Sequence, residues 1–278
     1  MIEPLSLAGL TVEGVSVGGL ETYIRLRELG LCFDIGRAPE ESLSCGMVLF
    51  THGHVDHLGG VISHVAARAL RGMAPPTYVV PPPIAPRLEA LLDLWRQIDG
   101  ADLPCTVVPL GPGDELLHKG KFKIRPFSAP HFQPAQGYGI WSLHAKLRPE
   151  FEGLGGLEIK ALRERGIAVS SASETALVSF TGDARSDVLN EEVVRTAKLS
   201  IFEVTFLDQR VTVESARQMG HMHLDEVLLH ADELESEAIL MTHFSARYNV
   251  RQIREILAAR LPAGLRERVT PLLNQFHP

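Results

Sequence analysis

Three histidines and an aspartate fall within six residues, in the segment Thr51-His52-Gly53-His54-Val55-Asp56-His57. Residues 47–51 form a short apolar run that predicts a buried strand, so the polar side chains would occupy a loop at a strand end, where they can converge. Neutral imidazole and carboxylate groups suit zinc, and two neighbouring metal ions suit the hydrolysis of phosphate esters. The spacing predicts that His52 and His54 share one metal, and that Asp56 and His57 bind a second one close by.

Further candidate ligands occupy similar positions. Each follows a predicted strand: His131 after residues 122–127, Asp183 after 176–181, and His243 after 238–242. This shared placement indicates that they join the same site, and the carboxylate of Asp183 could bridge two metals. His221 and His223 are two more candidates, in the segment Gly220-His221-Met222-His223.

The composition is that of an ordinary globular protein, with 45% hydrophobic and 22% charged residues. A formal net charge of -7 argues against a protein that coats nucleic acid nonspecifically, although it leaves room for a local basic patch. Cys32, Cys45 and Cys105 are widely spaced, so we expect neither a disulfide framework nor a cysteine zinc site. The natural setting is a reducing cytoplasm, and we expect no signal peptide and no membrane span.

Short apolar runs alternate with helical patterns along the chain. The pattern favours sheets packed face to face and covered by helices, in a single domain over residues 1–278. A segment rich in glycine and charge, residues 146–166, is the best candidate for an insertion. The predicted strands cover 31–35, 46–51, 105–109, 122–127, 138–143, 176–181, 199–204 and 238–242, and the predicted helices cover 55–73, 85–97, 225–234 and 250–261.

The ordered motifs resemble those of the metallo-β-lactamase superfamily and, within it, ribonuclease Z (tRNase Z), especially the short form found in plants. The resemblance covers nearly the whole chain. It rests on residues 51–60, Phe33-Asp34-Ile35-Gly36-Arg37, Pro130-His131, Gln136-Gly137-Tyr138, Thr181-Gly182-Asp183, residues 203–208, Gly220-His221 and residues 242–248.

The resemblance implies an αββα sandwich, of the α/β class, with two zinc ions at the edge of its sheets. Asp34 would support the ligands by hydrogen bonding, which fixes ligand orientation in metal sites. By transfer of each matching position, one zinc would be held by His52, His54 and His131, the other by Asp56, His57 and His243, with Asp183 bridging them.

The implied activity is zinc-dependent endonucleolytic removal of the 3′ trailer from precursor tRNA. Asp56 would orient or deprotonate the attacking water, and His221 would donate a proton to the leaving 3′ oxygen. Glu203 would keep His221 protonated, because a neighbouring carboxylate favours the charged imidazole. We interpret His223 as structural, and we expect the remaining histidines to be surface or packing residues: His64, His118, His144, His230 and His277.

Residues 146–166 occupy the place of the arm with which long bacterial relatives grip tRNA. Lys160 and Arg163 would contact RNA there, although the segment holds five positive charges against four negative ones. A solvated helix that packs through Ile159 and Leu162 explains the pattern equally well.

Arg247 is a further candidate for phosphate contact near the metals. Arg247, Arg251 and Arg254 share one face of the helix predicted after His243. A solvated arginine face is the commoner explanation of such spacing.

Two other functions remain open from the sequence. One is a phosphodiesterase or other hydrolase of this fold that acts on a small nucleotide or ester, since the ligand set alone does not distinguish the substrates. The other is a noncatalytic RNA-binding relative, whose signature would be lost ligands, and none is missing here. The resemblance also implies a homodimer.

Overall fold

The structure, a computed structural model, describes residues 2–132, 134–274 and 276. Its strands are β1 (Leu5–Leu7), β2 (Leu10–Gly18), β3 (Glu21–Leu26), β4 (Leu31–Phe33), β5 (Met47–Leu49), β6 (Thr77–Val80), β7 (Thr106–Pro109), β8 (Leu116–His118), β9 (Phe122–Ser128), β10 (Gln136–Leu147), β11 (Ser170–Phe180), β12 (Leu199–Glu203), β13 (Ala238–Thr242), β14 (Phe244–Ser245) and β15 (Val269–Pro271). Its α-helices are α1 (Val55–Leu58), α2 (Val61–Leu70), α3 (Ala85–Asp99), α4 (Gly156–Glu164), α5 (Glu192–Thr196), α6 (Val213–Gln218), α7 (Leu224–Leu229), α8 (Val250–Arg260) and α9 (Ala263–Arg266). Short 3-10 helices cover Glu40–Ser44, Pro149–Phe151 and Ser186–Asn190.

The strands form two mixed sheets that pack face to face. The first has the order β1-β2-β3-β4-β5-β6-β7, with β14 paired to β2, and the second has the order β15-β13-β12-β11-β10-β9-β8. Apolar side chains from both sheets fill the space between them, and the rings of Phe33 and Phe180 meet there with centroids 4.7 Å apart. Burial of each such side chain stabilises the fold by about 1.5–3 kcal/mol.

The outer face of each sheet is covered by helices. Val48 and Tyr78 of the first sheet pack in one cluster with residues of α2 and α3. Phe202 and Met241 of the second sheet pack in another cluster with residues of α5, α7 and α8. The layers therefore run helix, sheet, sheet, helix, which confirms the predicted αββα sandwich.

The polar segments predicted to carry ligands follow strands that end at one edge of the sandwich. Strands β11, β12 and β13 are mutually parallel, and so are β4 and β5. Parallel strands present their carboxyl ends at the same edge, which is where open α/β sheets usually bind ligands. The loops that follow these strands therefore meet there.

The prediction of a single helix over residues 55–73 is wrong, because Gly59 and Gly60 separate α1 from α2. A Cβ atom on Gly60 would lie 2.2 Å from the carbonyl oxygen of Ile35, so the chain passes too close to another backbone segment for any larger residue. The N-terminal strands β1–β3 were not predicted. The other predicted elements are present with shifted ends, and the helix predicted over 225–234 ends at Leu229.

The predicted insertion begins inside β10. Beyond Ser142 this strand pairs only with β11, and the two form a ribbon that extends to the pair Leu147 and Ser170. At about 3.3 Å per residue, the ribbon end is roughly 30 Å along the strand from Phe180. Helix α4 lies in the connection, and none of its residues is buried.

His64 is buried in the outer layer beside the first sheet. Its Nε2–H donates to the carbonyl oxygen of Ser42 at 3.2 Å, and its Nδ1 lies 2.9 Å from the hydroxyl of Tyr78. Burial lowers the pKa of His64 to about 4. In the unfolded chain, His64 therefore becomes protonated near pH 6.5. In the folded protein, the same imidazole stays neutral down to about pH 4.

We expect His64 to make the folded protein acid-labile within this window. Its contribution to stability is fully present above pH 6.5 and is lost as the pH falls to 4, and the total loss is about 3 kcal/mol. Urea unfolding at pH 7 and pH 4 should show a smaller loss of unfolding free energy in His64→Gln than in the wild type. Equal losses would contradict the buried neutral state.

Within the described ranges, none of the helices is both long and apolar enough to cross a lipid bilayer.

Candidate metal centre

A first cluster of ligand atoms forms where the loop after β5 meets the loop after β9. His52 Nε2 lies 2.9 Å from His54 Nδ1, and His131 Nε2 lies 3.3 Å from that same atom. One oxygen of Asp183, Oδ2, lies 3.8 Å from His52 Nε2. These four ligand atoms lie within 4.8 Å of one another and could hold one metal ion.

A second cluster lies on the other side of Asp183. Its Oδ1 is 3.2 Å from His57 Nε2 and 3.3 Å from His243 Nε2. The Oδ2 atom of Asp56 is 3.6 Å from His57 Nε2 and 3.5 Å from His243 Nε2. The structure thus brings together all seven predicted ligands, and Asp183 directs one oxygen towards each cluster.

Hydrogen bonds to the far ring nitrogens fix how the histidines face these clusters. Nδ1–H of His57 donates to Asp34 at 2.8 Å, and Nδ1–H of His131 donates to the carbonyl oxygen of Gly220 at 2.9 Å. Nδ1–H of His243 donates to the hydroxyl of Thr205 at 3.0 Å. Each of these rings then presents an unprotonated Nε2, which is the form that binds a metal.

Thr51 and Thr205 are parts of this support that the sequence analysis missed. The hydroxyl of Thr51 lies 3.0 Å from His52 Nδ1 and donates to Asp34 at 2.9 Å, and its backbone N–H donates to the same carboxylate. The hydroxyl of Thr205 links His243 to Glu203. Their only signal in the sequence is a position just beyond a strand.

Two orphaned nitrogen atoms show that a cation fits the second cluster. Nε2 of His57 and Nε2 of His243 are buried and make no hydrogen bond within the described part of the chain. A buried polar atom without a partner is costly, so both need a group at the point they face. A metal ion beside the Asp56 and Asp183 carboxylates satisfies both nitrogens and offsets the negative charge.

The surroundings keep the first cluster in the form that binds metals. Burial, followed by the neighbouring His57, holds the pKa of His52 well below its usual value, so this imidazole is neutral. Burial alone would raise the pKa of Asp183, but His243 and His57 outweigh it and hold that pKa well below the usual range. Neutral imidazoles around an ionised carboxylate are typical zinc ligands.

Two glycines allow the close approach of these loops. Gly182 has a φ of 60°, and a Cβ atom there would lie 2.6 Å from Thr51 Cβ. Gly220 has a φ of 76°, and a Cβ atom there would lie 2.7 Å from His131 Nδ1. Any other residue would strain the backbone and displace a supporting or ligating side chain.

Glu203 and His221 form a pair directly beside both clusters. Nδ1–H of His221 donates to Glu203 Oε1 at 2.9 Å, and the His221 ring centroid lies 5.4 Å from that of His131 and 5.3 Å from that of His243. Glu203 also accepts hydrogen bonds from the backbone N–H groups of Ala184 and Met222. Burial lowers the pKa of His221, but the Glu203 carboxylate outweighs this effect and raises the pKa to about 9.

The remaining histidines lie outside the clusters. His223 is buried, its Nδ1 accepts the backbone N–H of Asp225 at the start of α7, and its Nε2–H donates to the carbonyl oxygen of Asp208, which agrees with a structural role. His64 and His118 are buried, His144 is exposed and His230 is half-buried, while His277 lies outside the described residues.

The predicted RNA contacts are not part of the clusters. Lys160 and Arg163 are exposed on α4 in the connection at the ribbon end, and Lys160 lies 3.9 Å from Glu164. Ile159 and Leu162 of the same helix are half-buried. Arg247 is exposed and lies four residues beyond His243. The prediction that it shares a helix face with Arg251 and Arg254 is wrong, because α8 begins only at Val250.

Comparisons of this sequence with a family profile and with known proteins point to the same family. The profile of the beta-lactamase superfamily domain matches residues 36–244. The chain is 39% identical to tRNase Z TRZ1 of Arabidopsis thaliana over 98% of both chains. It is 35% identical to the chloroplastic tRNase Z TRZ2 of the same plant, over 98% of this chain and 77% of that one.

Solved structures share the fold at low identity. The human short form of tRNase Z superposes with a TM-score of 0.56 at 18% identity, covering 86% of this chain and 87% of that chain. The metallo-beta-lactamase fold protein YhfI of Bacillus subtilis gives a TM-score of 0.60 at 15% identity, covering 92% and 93%. The fold, the ligand clusters and the extended sequence similarity agree, and the chain belongs to the metallo-β-lactamase superfamily and, within it, to the tRNase Z family.

Proposed function

We propose that this protein is a metal-dependent endoribonuclease that removes the 3′ trailer from precursor tRNA by phosphodiester hydrolysis. The observation that carries the proposal is the Glu203–His221 pair, which lies beside two ligand clusters in a chain that resembles named tRNases Z along nearly its whole length. The two clusters account for hydrolysis of a phosphate ester. The adjacent pair supplies what an RNA leaving group needs in addition, which is a proton donor.

The metal ligands of this proposal are the residues of the two clusters. His52, His54 and His131 would hold one zinc ion, His57, His243 and Asp56 the other, and Asp183 would bridge them. Zinc at these positions would lower the pKa of water and offset charge on the phosphoryl oxygens. Two zinc ions per subunit is the stoichiometry that elemental analysis of the purified protein should give.

The chain's own side chains then divide the proton transfers between them. Asp56 would orient the attacking water in line with the scissile bond and accept the proton that this water loses. The bond from phosphorus to the 3′ oxygen breaks as the bond from the water oxygen to phosphorus forms. His221 would donate its Nε2 proton to the departing 3′ oxygen, since Glu203 accepts from Nδ1 and leaves Nε2 as the donor.

The exposed basic side chains of α4 would contact the body of the tRNA rather than the scissile phosphate, because they lie in the connection at the ribbon end, and that end is roughly 30 Å from Phe180 along β11. Replacing both Lys160 and Arg163 by glutamate should raise KM for precursor tRNA about 10-fold and leave kcat unchanged. The slope of log KM against log salt should fall by about two, one for each lost phosphate contact. Steady-state kinetics at several salt concentrations measures both quantities.

Matched charge reversals away from the ribbon serve as the control for this variant. Arg71 is exposed and Lys198 is half-buried, and the two basic residues already pair with Glu40 and Glu237. Arg71→Glu with Lys198→Glu changes the net charge by the same amount and should leave the salt slope unaltered. Equal slopes for the two double variants would remove α4 from the RNA contacts and leave it as a solvated helix.

The homodimer and the cytoplasmic location remain predictions. The exposed face of α3 carries Leu91, Leu94, Trp95 and Ile98 at helical spacing, and a second copy of the chain could cover this apolar stripe. Sedimentation equilibrium of the wild type and of Trp95→Glu tests the dimer. A wild-type monomer at micromolar concentration would contradict it.

A further inference from the structure

The rim of the metal centre carries exposed apolar side chains. Val55, between two predicted ligands, is 80% exposed, Phe132, directly after His131, is 56% exposed, and Met219, two residues before His221, is 37% exposed. An exposed aromatic ring at the mouth of a polar site offers a flat apolar face that a partner's apolar groups can cover. In an RNA substrate, those groups are the faces of the bases.

Phe132 is held in place although it is exposed. Its ring centroid lies 5.7 Å from that of His131. The backbone of Gly220 passes so close that a Cβ atom there would lie 3.1 Å from Phe132 Cδ2. The guanidinium carbon of Arg185 lies 5.6 Å from the ring centroid, within the range of a cation–π contact. A ring packed from several sides is a rigid surface on which a base can stack.

Arg185 adds a positive charge to this surface. Its Nε–H donates to the carbonyl oxygen of Arg217 at 3.0 Å, and its own backbone N–H donates to Pro130, so its position is fixed at both ends. Among the described residues Arg185 forms no ion pair with a carboxylate, although Asp187 and Glu214 line the same cavity. A fixed aromatic ring beside a guanidinium that pairs with no carboxylate matches the two parts of a nucleotide, its base and its phosphate.

The position of His221 identifies the nucleotide. The leaving 3′ oxygen belongs to the nucleotide on the 5′ side of the cut, and its ribose must lie beside His221 to receive the proton. Phe132 lies close to Gly220, the neighbour of His221, since a Cβ atom on Gly220 would be 3.1 Å from its ring, and that ring flanks His131, whose centroid is 5.4 Å from that of His221. The base attached to that ribose is therefore the one that can reach Phe132.

We propose that Phe132, supported by Arg185, is a stacking platform for the base on the 5′ side of the scissile phosphate. The proposal rests on the proposed function, because it requires an RNA substrate. Stacking on an aromatic side chain tolerates every base, so the platform would position the strand without selecting a sequence. Phe132 would then determine how well the 3′ oxygen is presented to His221.

A double-mutant cycle between protein and RNA tests the platform. One precursor tRNA carries its normal base on the 5′ side of the cut, and a second carries an abasic site at that nucleotide. Removing the base should lower kcat/KM of the wild type about 10-fold, and Phe132→Leu should lower kcat/KM for the intact precursor by a similar factor. In Phe132→Leu, removal of the base should have no further effect, and Phe132→Trp should restore base dependence.

Phe151→Leu is the matched control, since Phe151 is a half-buried phenylalanine of the insertion. It should affect both substrates by the same factor. Metal content of Phe132→Leu equal to that of the wild type shows that His131 is undisturbed. If Phe132→Leu and removal of the base each lowered kcat/KM by a factor that did not depend on the other change, the platform would be overturned. The proposed function would remain intact. Absence of precursor cleavage by the wild type would overturn both.

Discussion

Replacing Asp56 by alanine should lower the rate of RNA hydrolysis about 10³-fold and leave the fold intact. The Asp56 carboxylate faces the orphaned Nε2 atoms of His57 and His243, so the change removes a proposed metal ligand and the group that would orient the water. Asp56 lies in the short helix α1, outside the three large apolar clusters. Initial rates with metal-loaded protein, together with thermal unfolding, measure the two effects separately.

Asp93→Ala provides the matched control for this prediction. Asp93 is an exposed aspartate on α3 that pairs with Arg96, so its removal takes away a carboxylate of no catalytic role. Its activity should equal that of the wild type. Near-normal hydrolysis by metal-loaded Asp56→Ala would contradict the mechanism.

Replacing His221 by alanine should slow cleavage of RNA by about 10²–10⁴-fold, which is the usual worth of a positioned general acid. The same change should slow hydrolysis of bis(4-nitrophenyl) phosphate far less, because a nitrophenolate leaves without a proton. The contrast separates proton donation from metal binding, which both substrates need. Steady-state kinetics on the two substrates gives the two ratios.

His230→Ala is the control for the histidine. His230 also lies beside a carboxylate, with Nδ1 3.4 Å from Glu233, but it belongs to the surface after α7 and to neither cluster. Its loss should leave both reactions unchanged. If His221→Ala slowed both substrates by the same factor, the acid role would have to be abandoned.

The ligand clusters were accessible to sequence reasoning because each ligand follows a strand. A buried strand reads as a short apolar run, and the polar residue just beyond it must lie at the edge of a sheet. The Thr51–His57 segment, Asp183 and His243 follow strands of parallel pairs. His131 follows β9, which is antiparallel to β10 and so runs in the same direction as β11, and all these ligands therefore meet at one edge. The alternation of apolar runs with helical patterns predicted sheets packed face to face under helices, and the αββα order itself was implied by the family resemblance.

The pattern of apolar residues did not predict the N-terminal strands β1–β3. Strand β2 interrupts its apolar residues with Glu13 and Gly14, and Glu13 is buried because Arg25 and Arg27 of the neighbouring chain segment pair with it. A buried carboxylate that depends on partners many residues away leaves no periodic signal in its own segment.

The unusual backbone conformations at the site could not be predicted from the sequence either. Asp34 and His243 have φ values of 51° and 59°, in the left-handed region that side-chain-bearing residues rarely adopt. His243 is held there by hydrogen bonds from its N–H to Ser16 and from its ring to Thr205. Such strain is sustained by tertiary contacts, and a local motif cannot reveal it.

Cleavage of a precursor tRNA with a 3′ trailer, mapped to the nucleotide, tests the central claim most directly, with Asp56→Ala as the inactive control. We expect a single metal-dependent cut between the mature tRNA end and its trailer, leaving a 3′ hydroxyl on the tRNA, and no cut by the control. Hydrolysis of a small phosphodiester without any cut in the precursor would contradict the account and point to a hydrolase of small nucleotides or esters instead.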